Sequence, residues 1–545
     1  MKKHLFLLLI FLISCQKKDL TLVYPESRMS DHVDTYFGQD VPDPYRWMED
    51  DMAKETEDWV ERQNNVTFNY LDQIPYRKKL KNRLKKLNDY EKLGAPFKEG
   101  KYEYYYKNSG LQNHSVVYRK EIGQSSSPEI FIDPNSFSDD GTVALRGISF
   151  SKDGSLAAYM ITEGGSDWRK IIVIDSEKKS IIEDTLIDVK FSSVSWRGNE
   201  GFYYSSYPNP KNTSELSAKT QLHKLYYHKL GTPQTSDKLI YGGEKQPNRY
   251  ISGYVTEDQN FLVISASKTT SGNQLHILDL KKQRLVTIHK EYMNRLSVVH
   301  NEGNQFFIYT NIESPNGRIF SVNLNSPKKW NDIISEKENV LSASFGGGYL
   351  FASYLVDAKT EVEQLDLNGK LIRKIKLPGI GTASGFSAKK EDKDLYYSFR
   401  SFTFPSTIYN YRMTTGESEI YQSPSIDFNA EDYITKQIFF KSKDDTSIPM
   451  FITHKKDMVM NGTNPTILYG YGGFNISLTP SFSATNLVWL ENGGVYAVAN
   501  LRGGGEYGKK WHLAGTKMNK QNVFDDFIAA AEYLINEKYT SSDYL

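Results

Sequence analysis

The chain has 545 residues, too many for one ordinary hydrophobic core, so two or more domains are expected. Aromatic residues make up 13% and charged residues 24%, with a formal net charge of +1, a balance that suits a strand-rich globular chain and excludes a disordered one. No stripe of Lys and Arg interleaved with aromatics occurs, so nothing points to a nucleic-acid partner.

The first fifteen residues read differently from the rest. Lys2 and Lys3 precede an unbroken apolar run from Leu5 to Ile13. That run is too short to span a bilayer and suits the apolar core of a signal peptide. Leu12-Ile13-Ser14-Cys15 follows and looks like a bacterial lipobox, in which Cys15 becomes the lipidated first residue. Cys15 is the single Cys of the chain, so no intrachain disulfide can form. A plain signal peptide with an incidental Cys is the alternative. Loss of residues 1–14 removes two Lys and no acid, moving the formal charge from +1 to −1.

Residues from about 25 to 90 read as polar and helical. Pro42-Asp43-Pro44 favours extended backbone before a helix begins. Lys54 to Leu71 then carries helical spacing, and a second charged helix is expected near Tyr76 to Leu87. From about 91 to 430 the texture is short apolar-aromatic runs between Gly, Asp, Asn and Ser turns, such as Phe202-Tyr-Tyr204, Phe261-Leu-Val-Ile264 and Phe306-Phe-Ile-Tyr309. This predicts an all-β domain. A loose repeat pairs a polar turn with a buried strand: Ile148–Gly154 before Leu156–Met160, Val194–Asn199 before Phe202–Tyr204, and Tyr254–Asn260 before Phe261–Ile264. Its spacing of roughly 45–60 residues suits four-stranded blades and roughly six or seven of them. An irregular β-domain is the alternative.

After about 430, strands and helices alternate. Lys436–Phe440, Ile448–Thr453, Pro465–Tyr469 and Gly494–Asn500 read as strands. Phe524, Phe527, Ile528, Ala531 and Leu534 share one face at helical spacing. A mixed or parallel α/β sheet is expected.

The segment Leu468-Tyr-Gly-Tyr-Gly-Gly-Phe474 covers a strand end and the Gly-rich turn after it. Glycines there let backbone approach a substrate, and a Tyr hydroxyl can donate to a developing oxyanion. By itself the run is also compatible with a tight structural turn that exposes a Tyr.

Several longer blocks carry a resemblance. Tyr469–Thr479 (YGYGGFNISLT), Ala497–Arg502 (AVANLR), Gly503–Gly508 (GGGEYG) and Lys520–Phe527 (KQNVFDDF) resemble the peptidase domain of the prolyl oligopeptidase family. Asp43–Trp47 and Gly165–Trp168 resemble its earlier segments. The resemblance runs from about residue 25 to the end. It implies an α/β-hydrolase peptidase domain with an inserted seven-bladed propeller. The divisions are a lipoprotein signal at 1–14, an N-terminal peptidase segment at 25–90, the propeller at 91–430 and the catalytic α/β part at 431–545. It also implies Tyr471 as the oxyanion tyrosine and Phe474 as a wall of the proline pocket, core packing being the alternative for Phe474. Arg502 and Glu506 are read as a local ion pair that structures their loop. No motif supports His512 as a base.

No Gly-x-Ser-x-Gly occurs in the sequence; Ser166 comes nearest, with Trp168 where the second glycine belongs. By the resemblance, the nucleophilic Ser and then the Asp and His would follow Leu545. The reading is therefore an incomplete catalytic domain, inactive as it stands, from a serine endopeptidase that cleaves short peptides after proline. A related oligopeptidase with basic specificity, and an inactive propeller scaffold, are the rivals. The family's substrate-contacting Arg in the propeller is replaced by Ser265–Thr269, where Lys268 is a partial substitute. No metal or cofactor is implied. The expected partners are short proline-containing peptides and, through Cys15, a membrane of the bacterial cell envelope; the protein is expected to be a monomer.

Overall fold

The computed structural model describes residues 22–124, 127–208, 220–269 and 272–545. Cys15 and the rest of the apolar leader lie outside the described residues. The chain divides into two compact units, one holding the described residues up to Leu80 and the other holding those from Lys81 onward.

In the first unit, a hairpin precedes the helices. Val33–Tyr36 pairs antiparallel with Gln39–Pro42 around Phe37-Gly38. Both turn residues have positive φ, 53° and 81°, as a tight two-residue hairpin turn requires. The hairpin adds a strand pair to a segment read as helical after an extended start: the short alternation Val33-Asp-Thr-Tyr36 is a strand signal that the polar surroundings obscure. Arg46 ties the hairpin to the following turn, donating from Nε to Asp43 at 2.7 Å and pairing with Asp34. Helix Lys54–Asp72 follows. Helix Arg77–Asn88 runs into the second unit, where Arg83 donates to Glu491 at 2.8 Å and to Asp427 at 2.6 Å.

Seven β-blades lie between Lys92 and Gln422, each built from one contiguous stretch of chain. The second and third share a single rung, Val189 opposite Ser206, and the others are separate sheets. Apolar clusters join each blade to the next. Tyr104, Phe131 and Ala157 link the first pair; Val173, Trp196 and Phe202 the second. Leu225 and Leu262, then Ile277 and Phe306, then Ile319 and Leu350, then Phe351 and Tyr397 carry the packing around the ring.

The repeated polar turns do more than reverse the chain. Asp153 Oδ1 accepts from Ser155 N at 2.8 Å inside its own turn, and its Oδ2 accepts from Asn199 of the next blade at 2.5 Å. Asp258 repeats the arrangement with Asn260 N and, one blade on, Asn301. These bonds hold the Asp153 carboxyl at about 2, below its ordinary value.

One turn departs from the pattern. The segment 385–393, in the last blade, is long. Ala388 N donates to Phe345 O at 3.2 Å, Lys390 N to Glu257 Oε1 at 3.1 Å, and Lys390 Nζ pairs with Glu302 at 2.7 Å. Lys389 Nζ pairs with Glu99 of the first blade at 2.8 Å. This strap thus touches the first, fourth, fifth and sixth blades.

Beyond the blades, four strands form a mixed sheet in the order Tyr433–Lys441, Ser447–Lys455, Val495–Ala499, Thr466–Gly470. The last two run parallel, Thr466 opposite Val495 and Gly470 opposite Ala499. Helix Gln521–Asn536 packs Val523, Ala530 and Leu534 onto this sheet against Met450, Ile452, Ala497 and Ala499. The architecture is an α/β-hydrolase portion joined to a seven-bladed propeller. Ala358 and Phe402 of the propeller pack with Phe451 and Val498 of the sheet, and Tyr507 donates to Asp357 at 2.9 Å.

Candidate active site

The site forms where the edge strand Thr466–Gly470 ends. Tyr471 follows directly and is 44% exposed; Phe474, three residues on, is 72% exposed. Their rings lie 6.4 Å apart, tilted by 43°. An exposed hydroxyl and an exposed flat apolar ring therefore share one turn, suited to donating to an oxyanion and to stacking on a pyrrolidine.

The turn is held in an uncommon conformation. Phe474 and Asn475 both have positive φ, 53° and 58°, which costs L-residues energy and persists only under outside restraint. Gly472 is required for packing: a Cβ there would stand 2.4 Å from Val523 Cγ1. Its carbonyl accepts from Lys520 Nζ at 2.9 Å. Asn475 N donates to Gly503 O at 3.2 Å.

The second loop, Asn500–Tyr507, clamps the first. Asn500 Nδ2 donates to Leu478 O at 2.7 Å, and Leu478 N donates to Glu506 Oε1 at 2.8 Å. Asn500 and Glu506 are both buried, and Glu506 Oε2 has no partner among the described residues. Burial pushes the Glu506 carboxyl above its ordinary value. The close approach of the two loops depends on glycine: a Cβ on Gly505 would lie 2.7 Å from Asn475 O.

Arg502 and Glu506 do not pair, contrary to the sequence reading. The buried Arg502 guanidinium instead meets Asp526 at 2.6 Å and Asp444 at 2.5 Å. Asp526, from helix Gln521–Asn536, also accepts from Arg502 N and Ser442 Oγ. Beside Arg502, the Asp444 carboxyl falls to about 2. Arg502 is far more useful here than to Glu506, because two acids satisfy its planar donor fork. His512 donates through Nδ1 to Gly503 O at 2.8 Å, a structural role. The Leu478 clamp and the Asp526 pairing join residues 22 to 28 and 24 positions apart, and nothing in the local sequence announces them.

Known proteins resemble both halves of this arrangement. Residues 24–424 match the family description "Prolyl oligopeptidase, N-terminal beta-propeller domain", and residues 480–545 match "Prolyl oligopeptidase family". The chain belongs to the prolyl oligopeptidase family of serine peptidases. A prolyl endopeptidase of Elizabethkingia miricola is 52% identical over 536 residues, covering 98% of this chain and 76% of that protein. A prolyl endopeptidase of Elizabethkingia meningoseptica is 53% identical with the same coverage. Among solved structures, one from a study of two prolyl endopeptidases superposes with a TM-score of 0.90 at 35% identity, covering 95% of this chain and 77% of its own.

Proposed function

We propose that these residues form the propeller and the oxyanion side of an endopeptidase that cleaves short peptides on the carboxyl side of proline. The pairing of Tyr471 with Phe474 on one restrained turn carries this reading. The two Elizabethkingia relatives, each named a prolyl endopeptidase, support it. In this mechanism a Ser attacks the proline carbonyl, a His moves its proton and an Asp orients the His. Tyr471 donates its hydroxyl hydrogen to the oxygen as negative charge develops there. Phe474 receives the pyrrolidine ring, and the propeller restricts entry to small peptides. The sequence contains no Gly-x-Ser-x-Gly, so the 545 residues alone are proposed to be inactive and to rely on a nucleophile supplied from outside them. Cys15 is proposed to carry a lipid that anchors the protein to the cell envelope; Cys15→Ala should abolish partition into detergent.

A chimera tests the main reading. Residues 1–545 are joined to the part of the Elizabethkingia miricola protein that they do not match. The expected result is cleavage of a proline nitroanilide peptide by the chimera and none by residues 1–545 alone. A chimera that prefers Lys or Arg to Pro, or turnover by the 545 residues themselves, overturns it.

A further inference from the structure

A row of cations on the propeller rim has no anion in reach among the described residues. Lys190 ends the strand Leu186–Lys190 and is only 8% exposed. Its ammonium lies 5.0 Å from the centre of the Trp168 ring and 5.4 Å from that of Phe191. Among the described residues it has neither a carboxylate nor a hydrogen-bond acceptor in reach, whereas buried ammonium groups are ordinarily paired. The Phe191 ring meets Tyr250 edge-on at 5.9 Å. Arg249, the neighbour of Tyr250, lies 4.5 Å over the Tyr292 ring and donates from Nε to its hydroxyl at 2.7 Å. Lys268 stands over the same ring at 4.8 Å. Neither Arg249 nor Lys268 forms an ion pair among the described residues.

The position of this row matters. Met293 and Asn294, directly after Tyr292, receive Lys509 Nζ at 3.2 and 3.4 Å. Lys509 belongs to the helix Gly508–Leu513, which follows the loop that clamps the Phe474 turn. Tyr292, which holds Arg249 and Lys268, therefore stands on the rim that meets the helix Gly508–Leu513 of the peptidase part. Aromatic faces hold each cation in place by attraction to their ring electrons; the Lys190 and Lys268 ammonium groups keep donors without a partner among the described residues, while Arg249, whose Nε and Nη1 are already bonded, keeps Nη2. Donors fixed in this way need no further ordering to grip an anion.

We infer that Lys190, Arg249 and Lys268 form a carboxylate-binding subsite for the peptide substrate, taking either an acidic side chain or the free C-terminus. This rests on the proposed peptidase function and adds a preference to it. Lys268 takes part here as an anion donor, and Arg249 and Lys190 extend the subsite along the rim.

Direct binding to the 545-residue protein tests the inference without any chemistry. Three fluorescent peptides of equal length share one proline: one ends in Glu amide, one in Gln amide and one in Gln with a free carboxylate. The expected result is roughly tenfold tighter binding of at least one acidic peptide than of the Gln amide at low salt. Whichever acidic peptide gains identifies the source of the carboxylate. Lys190→Gln, Arg249→Gln and Lys268→Gln should each reduce the gain, and Lys190→Arg should retain most of it. Because Lys190→Gln alters a buried position, the exposed Lys268→Gln serves as the variant that leaves folding intact. Equal affinity for the three peptides, or no measurable binding of any, overturns the subsite. Exchanging Pro for Ala in the same peptides tests the proline pocket separately, since the carboxylate comparison is unchanged by it.

Discussion

Glu506 accepts the amide hydrogen of Leu478 at 2.8 Å, and through that bond a buried acid fixes the turn bearing Tyr471 and Phe474. Asn500 holds the carbonyl of the same residue at 2.7 Å, so the Leu478 backbone is gripped at both polar groups. The positive φ values of Phe474 and Asn475 are maintained by this grip and by the bond from Asn475 N to Gly503 O.

The Glu506 carboxyl has a folded-state pKa raised above its unfolded value by burial. Between those two values the native state binds more protons than the unfolded state, so stability falls as pH rises through them. Glu506→Gln keeps an acceptor for Leu478 N and removes the buried charge. Urea melts should show the variant gaining on the parent from pH 5 to pH 8. Glu506→Ala should instead cost about 1–3 kcal/mol at both pH values, because it strands buried donors. A Gln variant whose deficit grows with pH contradicts this account.

Arg502 and Asp526 are buried together, so removing one leaves the other charge exposed to a low dielectric. Asp526→Ala should cost about 3–5 kcal/mol in equilibrium unfolding. Asp444, whose side chain is half exposed, should matter less, below about 1 kcal/mol. Its lowered pKa of about 2 gives stability that is present above the ordinary carboxylate value and lost as pH falls towards 2. Asp444→Asn should flatten the acid limb of the stability profile between pH 4 and pH 2, read by circular dichroism.

In the active chimera, Tyr471→Phe removes only the oxyanion donor. Loss of such a donor typically lowers kcat by about 10²–10³, and KM should change little because the bond strengthens as charge develops. Phe474→Ala should raise KM for proline peptides, through lost apolar contact of about 1–3 kcal/mol, more than it lowers kcat. Steady-state kinetics separate the two. A parental kcat in Tyr471→Phe removes that hydroxyl from the mechanism.

The edge strand Thr466–Gly470 exposes Ile467 and Tyr469, and the nearby helix exposes Phe524, Phe527 and Ile528. Phe527 approaches Gly470 closely on the helix-covered sheet face, whereas Ile467 and Tyr469 project from the other, so exposed apolar side chains flank the open strand edge on both faces. Such faces recruit other chains. Light scattering should show concentration-dependent association of the 545-residue protein, reduced by Ile467→Lys together with Ile528→Lys. A monodisperse parent at high concentration would refute this.

The blades were legible because several repeat a local pattern, a polar turn followed by an apolar strand, and local patterns need no knowledge of partners. The Tyr471–Phe474 turn was legible for the same reason: its residues are contiguous. The hairpin at Val33–Pro42 was missed, since four-residue strands carry too short an alternation to stand out from polar surroundings. The pairing of Arg502 was misread in favour of Glu506, four residues away. Chain proximity suggested that pair, while the fold delivers Asp444 and Asp526 from distant segments. Of the Lys190 row only Lys268 was singled out from the sequence, because Trp168 and Tyr292 reach Lys190, Arg249 and Lys268 from positions distant in the chain.

Because each blade is contiguous, among the described residues no strand from one end of the chain completes a blade at the other. The blades can therefore form in order as the chain emerges, each needing only near neighbours in sequence. The junction of last with first must come afterwards. There the strap over residues 385–393 acts as a tie through the ion pair of Lys389 with Glu99, while Lys390 with Glu302 fastens the same strap to the fifth blade. Dissolved salt loosens pairs of that kind while sparing apolar cores. Where the last blade meets the first, the surrounding electrolyte thus helps to set how tightly the ring is closed.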